Sequence, residues 1–137
     1  MDYFFISRFF SRWCGFQIPL KTKIGYGLFI GHHGSVIVNV RSVLGDNCNL
    51  SPGVTIGQIS EGKKKGCPTI GDNVWIGTNL VIVGNIHIGN NSHICPSSFV
   101  TFDVPANSLV IGNPTVINND WGKTNQYILN KWEAEKS

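Results

Sequence analysis

Aliphatic residues recur at every sixth position along most of the chain. The series comprises Ile18, Ile24, Ile30 and Val36, then Leu44, Leu50 and Ile56, and then Ile70, Ile76, Ile82, Ile88, Ile94 and Val100. This period fits neither an α-helix, which turns about every 3.6 residues, nor a strand, whose side chains alternate. Each hexad therefore predicts one short strand and a turn, and three hexads predict one triangular coil.

A second position, four residues after each aliphatic one, is small or apolar. It is occupied by Thr22, Leu28, Gly34, Cys48, Val54, Val74, Leu80, Ile86, Ser92, Ser98 and Val104. Both positions are expected to face a narrow core, because stacked coils bury one continuous apolar column. The predicted fold class is all-β: a parallel β-helix, or solenoid, of hexapeptide repeats with short helical segments at both ends.

Two longer steps interrupt the repeat. Eight residues separate Val36 from Leu44, and fourteen separate Ile56 from Ile70. The longer step contains a polar, Gly-rich excursion loop, residues 58–69, which is expected to project from the coils and to take part in recognition. The resulting domain organisation is an N-terminal segment 1–17, a repeat domain 18–117 and a tail 118–137.

The two ends differ from the repeats. Residues 1–16 hold seven of the fifteen aromatic residues, and Phe5, Phe9 and Trp13 share helical spacing. This segment is predicted to be a short helix that caps the first coil or packs on a neighbouring subunit, with contact to a membrane surface as the alternative. The tail predicts a short helix around Tyr127 to Trp132.

Composition narrows the function classes. Only 14% of residues are charged, against about 25% in an average globular protein, and the net charge is +3. No long basic stripe with interleaved aromatics supports nucleic-acid binding. The cysteines, Cys14, Cys48, Cys67 and Cys95, form no C-x-x-C pair, and neither a signal peptide nor a membrane span is evident. Reduced thiols and a cytoplasmic location are expected.

Four sequence blocks lie in order along the repeats: KIGYGLFIGH at 23–32, NLSPGVTIG at 49–57, PTIGDNVWIG at 68–77, and DVP at 103–105 with GNP at 112–114. Together they resemble the hexapeptide-repeat acyltransferases, and within them the serine acetyltransferase-like branch, over about residues 17–117. The resemblance implies a left-handed helix and a homotrimer with active sites in clefts between adjacent prisms. It also implies acetyl-coenzyme A as co-substrate and no metal.

The resemblance places His32 at the position of the family's catalytic histidine. Its imidazole is expected to accept the proton of an acceptor hydroxyl that attacks the thioester, and to return it to the leaving thiolate. The acceptor-binding positions are Gln17, Gly31, His33 and Cys67. The lysines of the excursion loop, Lys63, Lys64 and Lys65, are either a solvated run or contacts for the phosphates of coenzyme A. The resemblance places the other coenzyme A-binding positions along the groove, at Gly77, Thr78, Pro96, Gly112, Asn113 and Pro114.

The acceptor site departs from the serine-specific relatives. Gln17 and Gly31 stand where those proteins have Asp, and Gly66 and Cys67 stand where they have Arg and His. Their N-terminal helical domain is also expected to be missing here. These changes predict acetyl transfer to a sugar hydroxyl in surface polysaccharide biosynthesis, with free serine as the alternative acceptor.

Three other hypotheses accompany this interpretation. A zinc carbonic anhydrase would collect histidines across an interface, but His87 and His93 have the wrong spacing and are predicted to be surface or interface residues. Trp75, eighteen residues earlier, is expected to stack on His93. A non-enzymatic trimeric solenoid is the second alternative, and acyl transfer through the Cys67 thiol is the third.

Overall fold

The computed structural model describes residue 9 and residues 12–119 and 122–134, and within them the chain winds through short strands in about five coils. The strands are β1 (Phe16–Gln17), β2 (Lys23–Ile24), β3 (Phe29–Ile30), β4 (Val36–Val38), β5 (Val43–Leu44), β6 (Asn49–Leu50), β7 (Val54–Gly57), β8 (Thr69–Ile70), β9 (Trp75–Ile76), β10 (Val81–Val83), β11 (His87–Ile88), β12 (His93–Ile94), β13 (Phe99–Val100), β14 (Ser108–Ile111) and β15 (Val116–Asn119). A short α-helix spans Lys123–Tyr127.

As far as β13, every third strand pairs in parallel, which produces the three faces of a prism. Sheet A contains β1, β4, β7, β10 and β13, sheet B contains β2, β5, β8 and β11, and sheet C contains β3, β6, β9, β12 and β14. Strand β15 closes sheet C antiparallel to β14. The predicted all-β parallel solenoid is confirmed, and the arrangement fits the left-handed β-helix.

Three edges separate the sheets, and each is a stack of turns. The CA edge contains the turns from sheet C to sheet A, at residues 31–35, 51–53, 77–80 and 95–98. The AB edge contains the turns from sheet A to sheet B, at residues 18–22, 39–42, 58–68 and 84–86. The BC edge contains the turns from sheet B to sheet C, at residues 25–28, 45–48, 71–74 and 89–92.

The predicted apolar column forms the core. Both hexad positions are buried through the middle coils, with Val54, Ile56, Val74, Ile76 and Ile82 at 0% exposure. Burial is only partial in the first coil, at Ile18, Ile24, Leu28 and Ile30.

The prediction that the first irregular step lies between Val36 and Leu44 is wrong, because the additional residues lie in the preceding turn. Val38, not Val36, pairs with Ile56, so Val38 occupies the aliphatic position of its hexad. The two additional residues therefore lie between Ile30 and Val36, in the turn that contains His32. Both valines are buried, and for this reason the apolar pattern alone could not distinguish them.

The excursion loop leaves the column, as predicted, but folds back against the next coil. Ile59 and Gly66 exchange two backbone hydrogen bonds of 3.0 and 2.9 Å, which make the loop a small hairpin. The backbone N–H of Asn85 donates to the carbonyl of Lys64 at 2.9 Å. The loop is therefore anchored along the AB edge, and its three lysine side chains are exposed.

The tail returns along sheet C and the BC edge. Its helix ends at Tyr127, where the sequence predicted one to begin, and residues 128–134 are not helical. Thr124 donates to the carbonyl of Asn91 at 3.0 Å, and Trp132 stacks on Tyr26 with ring centroids 4.3 Å apart. Trp132 also exchanges two hydrogen bonds with the Asn47 side chain. A largely non-helical tail reaches more coils than a helix of the same length would.

His93 lies beneath this tail. Its ring stacks on Trp75 at 4.4 Å, as predicted, and meets Tyr127 edge-on at 4.7 Å. The prediction of a surface position for His93 is wrong, because the tail leaves it only 4% exposed. The path of the tail could not be read from the hexad pattern.

We expect Tyr127→Ala to lower the free energy of unfolding by about 1–3 kcal/mol, because it removes the ring that packs against Trp75 and His93. Denaturant unfolding measures this change. Leu129→Ala is the matched control, since Leu129 lies on the same tail but is 78% exposed. Equal losses in the two variants would contradict a specific role for the aromatic contact.

The N-terminal segment is described only in part. Residues 12–14 are helical, and the rings of Phe9 and Trp13 lie 6.4 Å apart. Phe9 and Trp13 are 52% and 78% exposed, whereas Phe5 and the earlier aromatics lie outside the described residues. In the described part of the chain, no helix has the length and apolar character needed to cross a bilayer.

Candidate active site

The CA edge brings together most of the residues predicted to bind coenzyme A. Its turns are joined by backbone hydrogen bonds, from Gly53 to Ser35 at 2.6 Å, from Asn79 to Pro52 at 3.0 Å and from Ser97 to Thr78 at 2.9 Å. Gly77, Thr78 and Pro96 therefore lie on one edge with His32. With about 4.8 Å between successive coils, the four turns of the edge offer an elongated track of roughly 14 Å.

Close packing along this track excludes side chains at Gly77. A Cβ atom there would lie 2.7 Å from the backbone nitrogen of Pro96 and 3.0 Å from the carbonyl oxygen of Ile94. Both contacts are with the backbone of the next coil, so a side chain at Gly77 would push the two coils apart. The glycine is therefore needed for the close stacking of successive turns along the CA edge.

His32 and His33 occupy the enlarged first turn of the CA edge. Both are exposed, and the turn is held by backbone bonds from Gly34 to Cys14 at 3.3 Å and from Val36 to Gly15 at 3.2 Å. Gly34 adopts a φ of 145°, and a Cβ atom at this residue would lie 2.8 Å from Pro52. The two additional residues of the turn thus present both imidazoles to solvent above a fixed backbone.

Gln17 and Gly31 flank this turn. Gln17 is exposed on β1, in sheet A, where it pairs with Ile37. A Cβ atom on Gly31 would lie 3.1 Å from the Phe29 ring, so an aspartate could enter there only if this ring shifted. Among the described residues, no hydrogen bond joins His32 to Gln17.

Cys67 and the loop lysines lie on the other edge of sheet A. The Cys67 thiol donates to Asn39 Oδ1 at 3.4 Å, and the N–H of Arg41 donates to the same oxygen at 2.9 Å. Lys63, Lys64 and Lys65 are exposed on the hairpin above them. In a single chain, sheet A separates these groups from His32.

The segment Gly112, Asn113 and Pro114 lies at the end of the CA edge. The N–H of Gly112 donates to Ser98 Oγ at 3.1 Å, and Thr115 Oγ1 donates to the carbonyls of Phe99 and Gly112 at 2.7 Å. The segment is thereby tied to the fourth turn of the edge. Its predicted place in the groove continues the line from His32 through Pro96.

The remaining candidates lie elsewhere. Burial raises the pKa of the Cys48 thiol to about 12, so this core residue is not a reactive nucleophile. His87 is exposed on sheet B, 3.9 Å from Asp103. No disulfide links the four cysteines, and no cluster of three or more metal-ligating side chains occurs among the residues described.

Sequence reasoning missed Asn39 and Arg41. Their contact with the Cys67 turn depends on where the excursion loop returns to the coils, and no repeat position marks that point. The only available signal is that Arg41 and Cys67 each lie two residues before a sheet B strand, β5 and β8 respectively.

Comparison with known proteins agrees with this geometry. The family described as bacterial transferase hexapeptide (six repeats) matches residues 67–101. Serine acetyltransferase of Staphylococcus aureus (strain Mu50 / ATCC 700699) is 40% identical over 109 residues, which cover 80% of this chain and 50% of that protein. The chain is a hexapeptide-repeat protein of the serine acetyltransferase-like type.

Solved structures of relatives share the fold of this serine acetyltransferase-like chain. The Neisseria gonorrhoeae serine acetyltransferase in complex with serine superposes with a TM-score of 0.72 at 37% identity, over 84% of this chain and 47% of that one. The Brucella abortus strain S19 enzyme in complex with coenzyme A gives 0.68 at 34% identity, over 74% and 41%. The chain spans about half the length of the relatives it matches.

Proposed function

We propose that the chain transfers an acetyl group from acetyl-coenzyme A to the hydroxyl of serine. The observation that carries this proposal is His32, exposed at one end of the CA edge in line with Gly77, Thr78 and Pro96. Similarity to serine acetyltransferases over 80% of the chain supports serine as the acceptor in preference to the sugar predicted from sequence.

In this mechanism His32 is the general base. The imidazole removes the hydroxyl proton as the serine oxygen bonds to the thioester carbonyl carbon. The tetrahedral intermediate collapses, the carbon–sulfur bond breaks, and the imidazolium returns the proton to the thiolate of coenzyme A. The products are O-acetylserine and free coenzyme A, and His32 ends in its original protonation state.

The site is completed by a second copy of the chain. Strand β4 alone has three residues, or about 10 Å, which is longer than a serine molecule, so one chain cannot place serine against both edges of sheet A. Three prisms around a common axis, with sheet A facing inward, bring the AB edge of each copy against the CA edge of the next. A closed homotrimer therefore unites His32 with Cys67 and the loop lysines.

The chemistry of the three faces supports sheet A as the interface. Its outward positions are uncharged, whereas sheet C is covered by the tail and sheet B presents Lys23 and His87. The outward residues of sheet A are Gln17, Ile37, Thr55, Gly57, Val81, Val83 and Phe99. Such a face can be buried against other copies without the cost of desolvating charges.

The direct test is an acceptor panel. Purified protein is incubated with acetyl-coenzyme A and serine, nucleotide sugars or oligosaccharides, and free thiol release and product mass are recorded. Turnover on serine, with a product heavier by one acetyl group, is expected. Turnover on a sugar alone would restore the polysaccharide hypothesis, which the neutral residues Gln17, Gly31 and Cys67 favour, and no turnover would favour a non-catalytic module.

We expect the triple replacement of Lys63, Lys64 and Lys65 by Ala to raise the KM for acetyl-coenzyme A about tenfold and to flatten its salt dependence. In the proposed trimer the three exposed ammonium groups lie beside the groove of the adjacent copy, where they attract phosphates, and each contributes modestly at the surface. Initial rates at several salt concentrations measure the effect. Lys131→Ala, an exposed lysine on the tail, is the control, and an unchanged KM would assign the loop lysines to solvent.

A further inference from the structure

By the resemblance given under Sequence analysis, Gly66 stands where the serine-specific relatives have an arginine, so this chain has no arginine at that position. A carboxylate at this site would therefore need another cation. The turn at residues 39–42 lies directly beside the turn that contains Gly66 and Cys67. It contains an arginine, Arg41, to which neither the sequence motifs nor the comparisons assign a role.

Strand register and one shared acceptor place Arg41 beside Cys67. Val43 of β5 pairs with Thr69 of β8, and the same register continued back by two residues sets Arg41 opposite Cys67. The Arg41 N–H and the Cys67 thiol both donate to Asn39 Oδ1. These two bonds fix the side-chain amide of Asn39, so that its Nδ2 is left as a donor on the same edge.

Arg41 is available for a ligand. Arg41 is exposed, and it makes no ion pair with any residue that the structure describes. Among these residues the one ion pair is that of His87 with Asp103. A guanidinium group presents a planar fork of donors that matches a carboxylate with two parallel hydrogen bonds. An unpaired arginine beside an amide donor suits the carboxylate of an amino acid.

The height of Arg41 along the prism matches that of His32. Strand β4 connects the turn containing His32 directly to the turn containing Arg41, so both belong to the same coil. Rotation about an axis parallel to the prism keeps each coil at its own height. In the proposed trimer, Arg41 of one copy therefore faces the His32 turn of the next.

We propose that Arg41 binds the carboxylate of the acceptor serine whose hydroxyl is held at His32 of the adjacent copy. Asn39 orients the turn and supplies a second donor. This inference rests on the proposed function and names the residue that selects an amino acid over a neutral alcohol. Arg41 takes the role that the motif position Gly66 cannot fill.

The test compares serine with serinamide, which lacks the carboxylate, as acceptors for the intact chain of 137 residues. Wild type is expected to prefer serine, and Arg41→Ala is expected to raise the KM for serine about 10–100-fold with kcat and the KM for acetyl-coenzyme A nearly unchanged. The preference for serine over serinamide should shrink by the same factor. Arg41→Lys should recover part of it, since it restores the charge but not the fork.

Lys21→Ala is the matched control, because Lys21 occupies the corresponding position of the AB edge one coil away. It is expected to leave the preference unchanged. If wild type acetylates serine but Arg41→Ala slows serine and serinamide equally, the role of Arg41 is overturned and the proposed function stands. If wild type does not acetylate serine, the proposed function fails and the inference fails with it.

Discussion

Replacing His32 by Ala is expected to reduce kcat for acetyl transfer by about 10²–10⁴-fold, while the affinity for coenzyme A stays close to that of wild type. The imidazole is the base that removes the hydroxyl proton in the proposed mechanism, and general base catalysis contributes an effect of this size. His32 is exposed and makes no hydrogen bond to any residue that the structure describes, so its removal should leave the fold intact. Thiol release measures kcat, and calorimetric titration measures coenzyme A affinity.

His33→Ala is the matched control for this experiment. The two histidines share the same turn and both are exposed, but the proposed mechanism assigns the role of base to His32 alone. We expect His33→Ala to keep kcat within a few-fold of wild type and to change mainly the KM of the acceptor. If His33→Ala loses activity and His32→Ala retains it, the assignment of the base is reversed.

The repeat architecture could be predicted from sequence because every hexad carries the same aliphatic position. A wrong assignment at one aliphatic position does not change the predicted fold, because the neighbouring coils give the same period. The strands of sheet B and sheet C pair at the 18-residue spacing that the repeat predicts. The placement of the first irregular step failed for the opposite reason. Val36 and Val38 are both apolar and both buried, so only the pairing of Val38 with Ile56 reveals where the additional residues lie.

The candidate site was predictable only along the CA edge. There, positions separated by about one coil are stacked, so the spacing places Gly77 and Pro96 in adjacent turns, whereas their assignment to a coenzyme A groove came from the resemblance to the hexapeptide-repeat acyltransferases. The contact between Asn39 and Cys67 links residues 28 apart in the chain, across the irregular loop, and no fixed period connects them. The burial of His93 depends on the tail in the same way, since Tyr127 packs on it through the chain's return path.

Substituting Glu for Val81 is expected to convert the proposed trimer into monomers and to abolish acetyl transfer. Val81 lies on β10, the fourth of the five strands of sheet A, between Thr55 and Phe99, and its side chain points away from the core. In a monomer the carboxylate reaches water, so the coil stacking should remain. In the trimer three carboxylates would be buried on one uncharged interface, and each unpaired charge costs several kcal/mol.

Sedimentation velocity and kcat/KM, measured on the same samples, check this result. Lys23→Glu is the control, because it also introduces a carboxylate at an outward strand position, but on sheet B. It should leave both the oligomeric state and the activity intact. Activity in a Val81→Glu monomer would show that one chain forms a complete site, which contradicts the division of His32 and Cys67 between two copies. Loss of both trimer and activity, with an unchanged far-ultraviolet spectrum, would follow if sheet A is the surface on which the two halves of the site meet.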